Sequence, residues 1–301
     1  LNVSLLNALA ELQIKRKQYP EAVGLYGKLV QLDSTNPYYY KKLGLILTKR
    51  GMNLSASDFF RRSLMYNPKD IEVLSLLAKF HLDQKAFAVA DSLLAEARSF
   101  DSTNVGVIML QVQSAYRQEE YRACLDYCQS LLSAEGDTSS FFLRYRGYAS
   151  YKNREYSQAI EALRTLLEGD GEAEIPLFYL GMAYAESGEY DSSQTYLTKA
   201  IEAATSEFIG NYYLNLAFVE EQRKETEAAI SAFKKAYNYT GRADMLFYLA
   251  YNYEQLYRDK STAIQFYERY LEEAGDGELV LKQQAQERLS QLKRVMHFKA
   301  D

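Results

Sequence analysis

The stretch LFYLGMAYAESGEYDSSQTYLTKA, Leu177 to Ala200, decides the fold. It places small Gly181 before a turn at Gly188, small Ser193 after it, and bulky Leu197 four residues beyond Ser193. Residues four apart share one face of a helix, so a small and a large side chain alternate along one buried stripe. Two helices approach closely only where one presents no large side chain, and a knob from the next turn fills the remaining space. The segment therefore reads as a helix, a turn and a second helix packed back against the first.

Working outward, the position of Ser193 recurs at Ala22, Ala56, Ala90, Cys124, Ala159, Ala229 and Ala263; with Ser193 in its place, the successive gaps are 34, 34, 34, 35, 34, 36 and 34. The position of Gly181 recurs in step at Ala10, Gly44, Ala78, Val112, Gly147, Ala217 and Ala250, and that of Leu197 at Tyr26, Phe60, Leu94, Cys128, Leu163, Phe233 and Tyr267. A fixed period near 34 residues is the mark of stacked helix–turn–helix units. Turns within units are expected near Gly51, Lys85, Glu119, Arg154, Gly188 and Lys224, and such short connections force antiparallel neighbours. Asp70 and Asp244 stand near the starts of first helices, where a carboxylate favours the dipole.

With these columns in view, the chain resembles the tetratricopeptide repeat family. The small–large–small code appears as Tyr40, Leu43, Gly44, Gly51, Ala56, Phe60 and Pro68, as Leu177 to Ala200, and as Tyr213, Leu216, Ala217, Ala229, Phe233 and Ala236. The resemblance spans roughly residues 3 to 274 in eight units in phase, with the family's early Trp replaced by Leu, Ile or Tyr. It implies an all-α fold, a right-handed α-solenoid superhelix of about eight tandem helix–turn–helix units. Their approximate bounds are 3–36, 37–70, 71–104, 105–139, 140–173, 174–209, 210–242 and 243–275, forming a single array over 1–301. Residues 276–298 are expected to form a capping helix, with Leu279, Leu281, Ala285, Leu289, Leu292 and Val295 covering the last unit. The metre breaks at Glu168–Glu174 and near Thr205–Ser206; either could let the array bend, and a modest hinge is expected between the fifth and sixth units.

Composition narrows the function. Apolar residues make up 48% and charged residues 25%, the balance of a folded globular chain, and the apolar runs are far short of a membrane span. The net charge of −5 argues against nucleic acid as a partner, since phosphate contacts call for a basic excess. The chain starts at Leu1 with no charged-then-apolar leader, which fits a cytoplasmic protein, an exported one whose signal has been removed, or a segment of a longer chain. Cys124 and Cys128 lie on successive turns of one helix, a poor geometry for a disulfide, and read as buried packing. His81 and His297 lack metal-site or triad spacing, and no phosphate loop or nucleophile elbow occurs; no catalytic residue, cofactor or metal is expected. Glu220, Glu221 and Glu254 could imitate a hydrolase's carboxylates, but acids on solvated helices are commoner.

The resemblance implies that ligands lie against fixed positions of each first helix, on the inside of the curve. Carried onto this chain, those positions give Lys41, Lys42, Lys49 and Arg117 early on. Later they give Arg144, Tyr145, Tyr148, Tyr151, Phe178, Tyr179, Asn211, Asn215, Phe218, Tyr248 and Tyr251. Rings offer contact area at small entropic cost, and Tyr145, Tyr148, Tyr179, Tyr248 and Tyr251 are expected to be exposed in the groove. The cluster of Lys41, Lys42, Lys49, Lys79, Arg117, Arg144 and Lys152 would attract a segment carrying carboxylates, although a plain solvated face carries such residues too. The family's clamp for a terminal carboxylate is missing. The expected function is a non-enzymatic scaffold binding a protein or peptide segment in an aromatic, partly basic groove. The alternative is a module for a small ligand, a glycan or a cell-wall fragment, using the same rings.

Overall fold

The computed structural model describes residues 2–135, 139–170, 173–204, 207–275 and 278–297, and every described helix is α. The chain divides by contact into two compact units, residues 1–145 and 146–301. The first holds α1 (Val3–Lys15) with α2 (Tyr19–Leu32), α3 (Pro37–Lys49) with α4 (Asn53–Tyr66), α5 (Ile71–Asp83) with α6 (Phe87–Phe100), and α7 (Val105–Arg117) with α8 (Tyr121–Glu135). Helix α9 (Ser140–Lys152) runs across the division and pairs with α10 (Tyr156–Asp170). Then follow α11 (Glu174–Glu186) with α12 (Tyr190–Ala203), α13 (Ile209–Gln222) with α14 (Thr226–Thr240), α15 (Asp244–Leu256) with α16 (Ser261–Glu273), and α17 (Leu279–His297). The architecture is the paired helix–turn–helix packing of an α-solenoid with about eight repeats and a terminal helix.

The three sequence columns are the core. Ala10, Ala22 and Tyr26 are each 0% exposed, as are Ala217, Ala229 and Phe233 in the other unit. The glycines show why the second column is small: a methyl group on Gly44 would meet the Phe60 ring at 2.4 Å, and one on Gly181 would lie 2.9 Å from Leu197 Cγ. Ser193, Cys124 and Cys128 are buried in the same rows, and both cysteines are free.

Turns repeat as faithfully as the core. Lys17, Gly51, Lys85, Glu119, Arg154, Gly188 and Lys224 all take positive φ, between 58° and 78°. The next amide then reaches back five residues, as in Met52 N to Leu47 O and Glu189 N to Tyr184 O, both 2.9 Å, which satisfies carbonyls at the helix end. Only two of these seven positions are glycine, so five turns hold a side chain where the left-handed backbone is costly. The eighth pair closes differently: Lys260 Nζ donates to the carbonyls of Glu254 and Tyr257.

First helices begin with a side-chain cap in the N-terminal unit. Asn2, Asn36, Asp70 and Asn104 accept from the backbone amides of Leu5, Tyr38, Val73 and Val107. Helices α11, α13 and α15 start at Ala173, Phe208 and Ala243, which offer no such acceptor. Asp244 does lie in the first turn of α15, where Arg242 grips it.

Helix α17 packs on α16 and α15 as expected of a cap, yet only part of the expected stripe is covered. Ala285 and Leu292 are buried, whereas Leu279 is 74% and Val295 48% exposed. Docking depends on charge as well: Arg288 of α17 pairs with Glu254, a buried carboxylate that also accepts from the Tyr267 hydroxyl at 3.2 Å. The expected breaks near Glu168–Glu174 and Thr205–Ser206 turn on residues 171–172 and 205–206, which lie outside the described residues.

Candidate functional site

Within each unit the first helices of neighbouring repeats lie side by side, and numbering from Val3, Pro37, Ile71, Val105, Ser140, Glu174, Gly210 and Ala243 makes the repeats comparable. In the unit 1–145, α5 touches α7 as well as its own partner, and in 146–301, α11 touches α13. One register recurs between neighbours, the ninth residue of one repeat meeting the sixth of the next. Glu11 meets Lys42 at 2.7 Å, Tyr148 meets Tyr179 with ring centres 4.5 Å apart, and Phe218 meets Tyr248 at 5.0 Å.

In residues 1–145 this face is laced by ion pairs between repeats. Lys41 reaches both Asp70 (3.0 Å), the cap of α5, and Glu72 (2.6 Å) of the following repeat, and Arg117 approaches Asp83 at 3.9 Å while lying over the Phe87 ring. Glu11 gathers three donors: the hydroxyls of Tyr26 (2.6 Å) and Tyr38 (3.1 Å), and the Lys42 ammonium. Burial pushes its carboxyl up, but hydrogen bonds from Lys42 and Tyr26 outweigh it and hold Glu11 below the usual range. The free positive groove expected here is therefore not found at Lys41, Lys42 or Arg117, whose charges are answered from within the chain. Lys49 and Lys79 are exposed and make no ion pair among the described residues; Arg144 is exposed, and Tyr145 is half-buried against Tyr116 and Phe141.

In residues 146–301 rings take that register where Tyr148 meets Tyr179 and Phe218 meets Tyr248, while Met182 and Asn215 hold the positions between. Tyr148, expected to be exposed, is only 8% exposed because Tyr179 of the next repeat lies over it. Tyr151 and Phe178 flank Tyr179, and Lys152 stands 5.9 Å from its ring centre. Burial raises the Tyr151 phenol to about 12, so it is a neutral donor at physiological pH. Tyr179, Phe178, Phe218 and Tyr248 are half-buried, Asn211 is exposed, Asn215 donates to the carbonyl of Asn211, and Tyr251 is 44% exposed.

The three candidate carboxylates separate by their partners. Glu220 is buried and paired with Arg223, and Glu254 with Arg288. Glu221 has neither. Asn252, buried in the next repeat, donates to its Oε1 at 2.5 Å, and no cation lies within ion-pair distance among the described residues. Burial raises its carboxyl, the hydrogen bond from Asn252 opposing. Among the described residues, no group of three His, Cys, Asp or Glu is placed to hold a metal ion, and no helix is long and apolar enough to cross a membrane.

Reading the sequence missed Glu11, Asp83 and Asn252. The signal for them was the register itself: a polar residue at position nine, ten or thirteen stands opposite a neighbour's position six, twelve or thirteen.

Comparison with known proteins agrees with this geometry. A family model described as the tetratricopeptide repeat matches residues 146–207 and 178–244. A TPR repeat-containing protein of Methanocaldococcus jannaschii is 23% identical over 190 residues, which are 62% of this chain and only 28% of that protein's length. Among solved structures, a tetratricopeptide repeat protein from Parabacteroides merdae superposes with a TM-score of 0.57 at 13% identity, covering 83% of this chain and 98% of that one. YrrB, described as a TPR protein with an unusual peptide-binding site, gives 0.55 at 16% identity over 63% of this chain and 96% of its own. The family model matches only within residues 146–244, but the buried small column and the left-handed turn keep their phase back to Ala10 and Lys17. By that family model, residues 146–244 carry tetratricopeptide repeats, and the same buried column and turn continue in phase before them.

Proposed function

We propose that this chain is a non-enzymatic scaffold that holds a peptide or protein segment against the first-helix face of residues 146–301. The observation that carries the reading is the row of rings there, led by Tyr251 at 44% exposure beside half-buried Tyr248 and Phe218. Aromatic side chains that keep part of their surface in water are the usual anchors of protein recognition, because they bury much area and lose few rotamers. YrrB, similar in fold, is described as a TPR protein with an unusual peptide-binding site, which supports peptide binding as a use of this fold here. Lys49 and Lys79, exposed within residues 1–145, would contribute steering.

The test is selection of random dodecapeptides on the intact chain, followed by binding to the Tyr179→Ala, Tyr251→Ala double variant. Selected peptides are expected to lose about tenfold or more in affinity, the scale of one or two anchor residues. Peptides that bind the variant unchanged would overturn the assignment of this face. Retention of cell-wall oligosaccharides on the same rings, with no peptide selected, would replace the reading with the glycan one.

A further inference from the structure

On the aromatic face, half-buried Glu221 has no cation within ion-pair distance among the described residues. Glu221 lies on α13 one turn after Phe218, and its neighbour on the next repeat is Asn252, on the turn of α15 that follows Tyr248. Asn252 is committed: it is 3% exposed, and its amide group donates both to Glu221 Oε1 and to the Tyr248 carbonyl at 2.9 Å. That fixes the carboxylate in place. The other oxygen, Oε2, accepts no hydrogen bond from the described residues and is not sealed from solvent. The other paired carboxylates nearby show what is missing here: Glu220 has Arg223, Asp244 has Arg242 at 2.6 Å, and Glu254 has Arg288.

The surroundings favour one kind of partner. Phe218 and Tyr248 meet edge to face at 5.0 Å, with the more exposed Tyr251 one turn beyond Tyr248 on the same helix. A half-buried carboxylate beside aromatic rings combines full charge attraction at reduced dielectric with faces that draw cations. A guanidinium suits both at once, since it can donate to a carboxylate oxygen and stack flat on a ring.

We infer that Glu221, framed by Phe218, Tyr248 and Tyr251, is a receptor for a cationic side chain of the bound segment, arginine in preference to lysine. The inference rests on the reading of this face as a peptide site. It also reverses the expected polarity: the partner brings a positive charge to Glu221, not a negative one to the lysines and arginines.

The experiment uses the full chain and two pools of fluorescein-labelled nonapeptides, randomised except at the centre. One pool has arginine at the centre and the other citrulline, the neutral isostere, and anisotropy measures binding. The arginine pool is expected to bind about tenfold tighter to the wild type. Glu221→Gln, which keeps the Asn252 contact, removes that preference. Glu272→Gln, which deletes an equal charge from an exposed side chain on α16, leaves it intact and so separates the local carboxylate from the overall negative charge. Equal binding of the two pools to the wild type, or a preference that survives Glu221→Gln, overturns the inference while the peptide site stands. Failure of both pools to bind refutes the peptide site and this inference with it.

Discussion

The two compact units of this chain use the same backbone register for opposite purposes. Where residue nine of one repeat meets residue six of the next, residues 1–145 place Glu11 against Lys42, and residues 146–301 place Tyr148 against Tyr179 and Phe218 against Tyr248. An ion pair closes that seam by consuming its own charge. A ring pair leaves an edge in water. The comparison teaches that repeat position fixes which side chains meet, while residue type decides whether the meeting leaves anything for a ligand.

The largest effects should be alike in both units, because the core beneath the two faces is the same. Gly44→Leu drives a side chain into the Phe60 ring and Gly181→Leu into Leu197, whose backbone nitrogen lies 3.1 Å from an added methyl. Each is expected to cost about 1–3 kcal/mol by overpacking, read from denaturant midpoints. A cost near zero at either site would break the claim of a shared core.

Next in size, titration should separate the units by sign. Glu11 has a folded-state pKa below the unfolded value, so its contribution is present above the ordinary carboxylate range and is lost as pH falls through the folded value. Glu11→Gln is expected to destabilise at pH 7 by roughly 1–2 kcal/mol, the scale of hydrogen bonds to a charged group, and to cost less in acid. Glu221 is shifted upward, so the ionised group opposes folding above its folded pKa and stops doing so below the unfolded one. Glu221→Gln should therefore stabilise at neutral pH, by about 1 kcal/mol or less, with the gain fading toward pH 4. Paired stability curves against pH check both, and equal signs would erase the contrast.

Much of this molecule was legible as sequence, because a period of 34 is carried by volume. Gly44, Gly147 and Gly181 are glycine since Phe60, Leu163 and Leu197 occupy the space of a Cβ, and such fits leave a plain pattern. Turn positions were legible for the same reason. The face was less so. Lys41 looked free because its partners, Asp70 and Glu72, are 29 and 31 residues away and come opposite it only when two repeats stack. Tyr148 looked exposed because nothing within its own helix covers it; Tyr179 of the next repeat does. Pairings across a repeat boundary depend on register between helices, which single-helix periodicity does not encode. The missing caps of α11, α13 and α15, by contrast, were in plain view as Ala173, Phe208 and Ala243.

The smallest expected effect sharpens the comparison at its turns. Lys85 in one unit and Arg154 in the other hold φ at 58° and 62°, conformations glycine adopts freely. Lys85→Gly and Arg154→Gly should each stabilise by roughly 0.5 kcal/mol, since relief of the left-handed strain exceeds the added unfolded-state entropy. Thermal melts would show it, and a loss at either turn would mean that the displaced side chain contributes more than its backbone costs.

The central claim is that the first-helix face of residues 146–301 is the working surface. Photocrosslinking tests it most directly, with p-benzoylphenylalanine replacing Tyr251 on α15 in one variant and the more exposed Tyr239, 60% accessible at the end of α14, in another. The account predicts that peptides retained by the intact chain crosslink from position 251 and not from 239. Crosslinking from 239 alone, or equally from both, would contradict it.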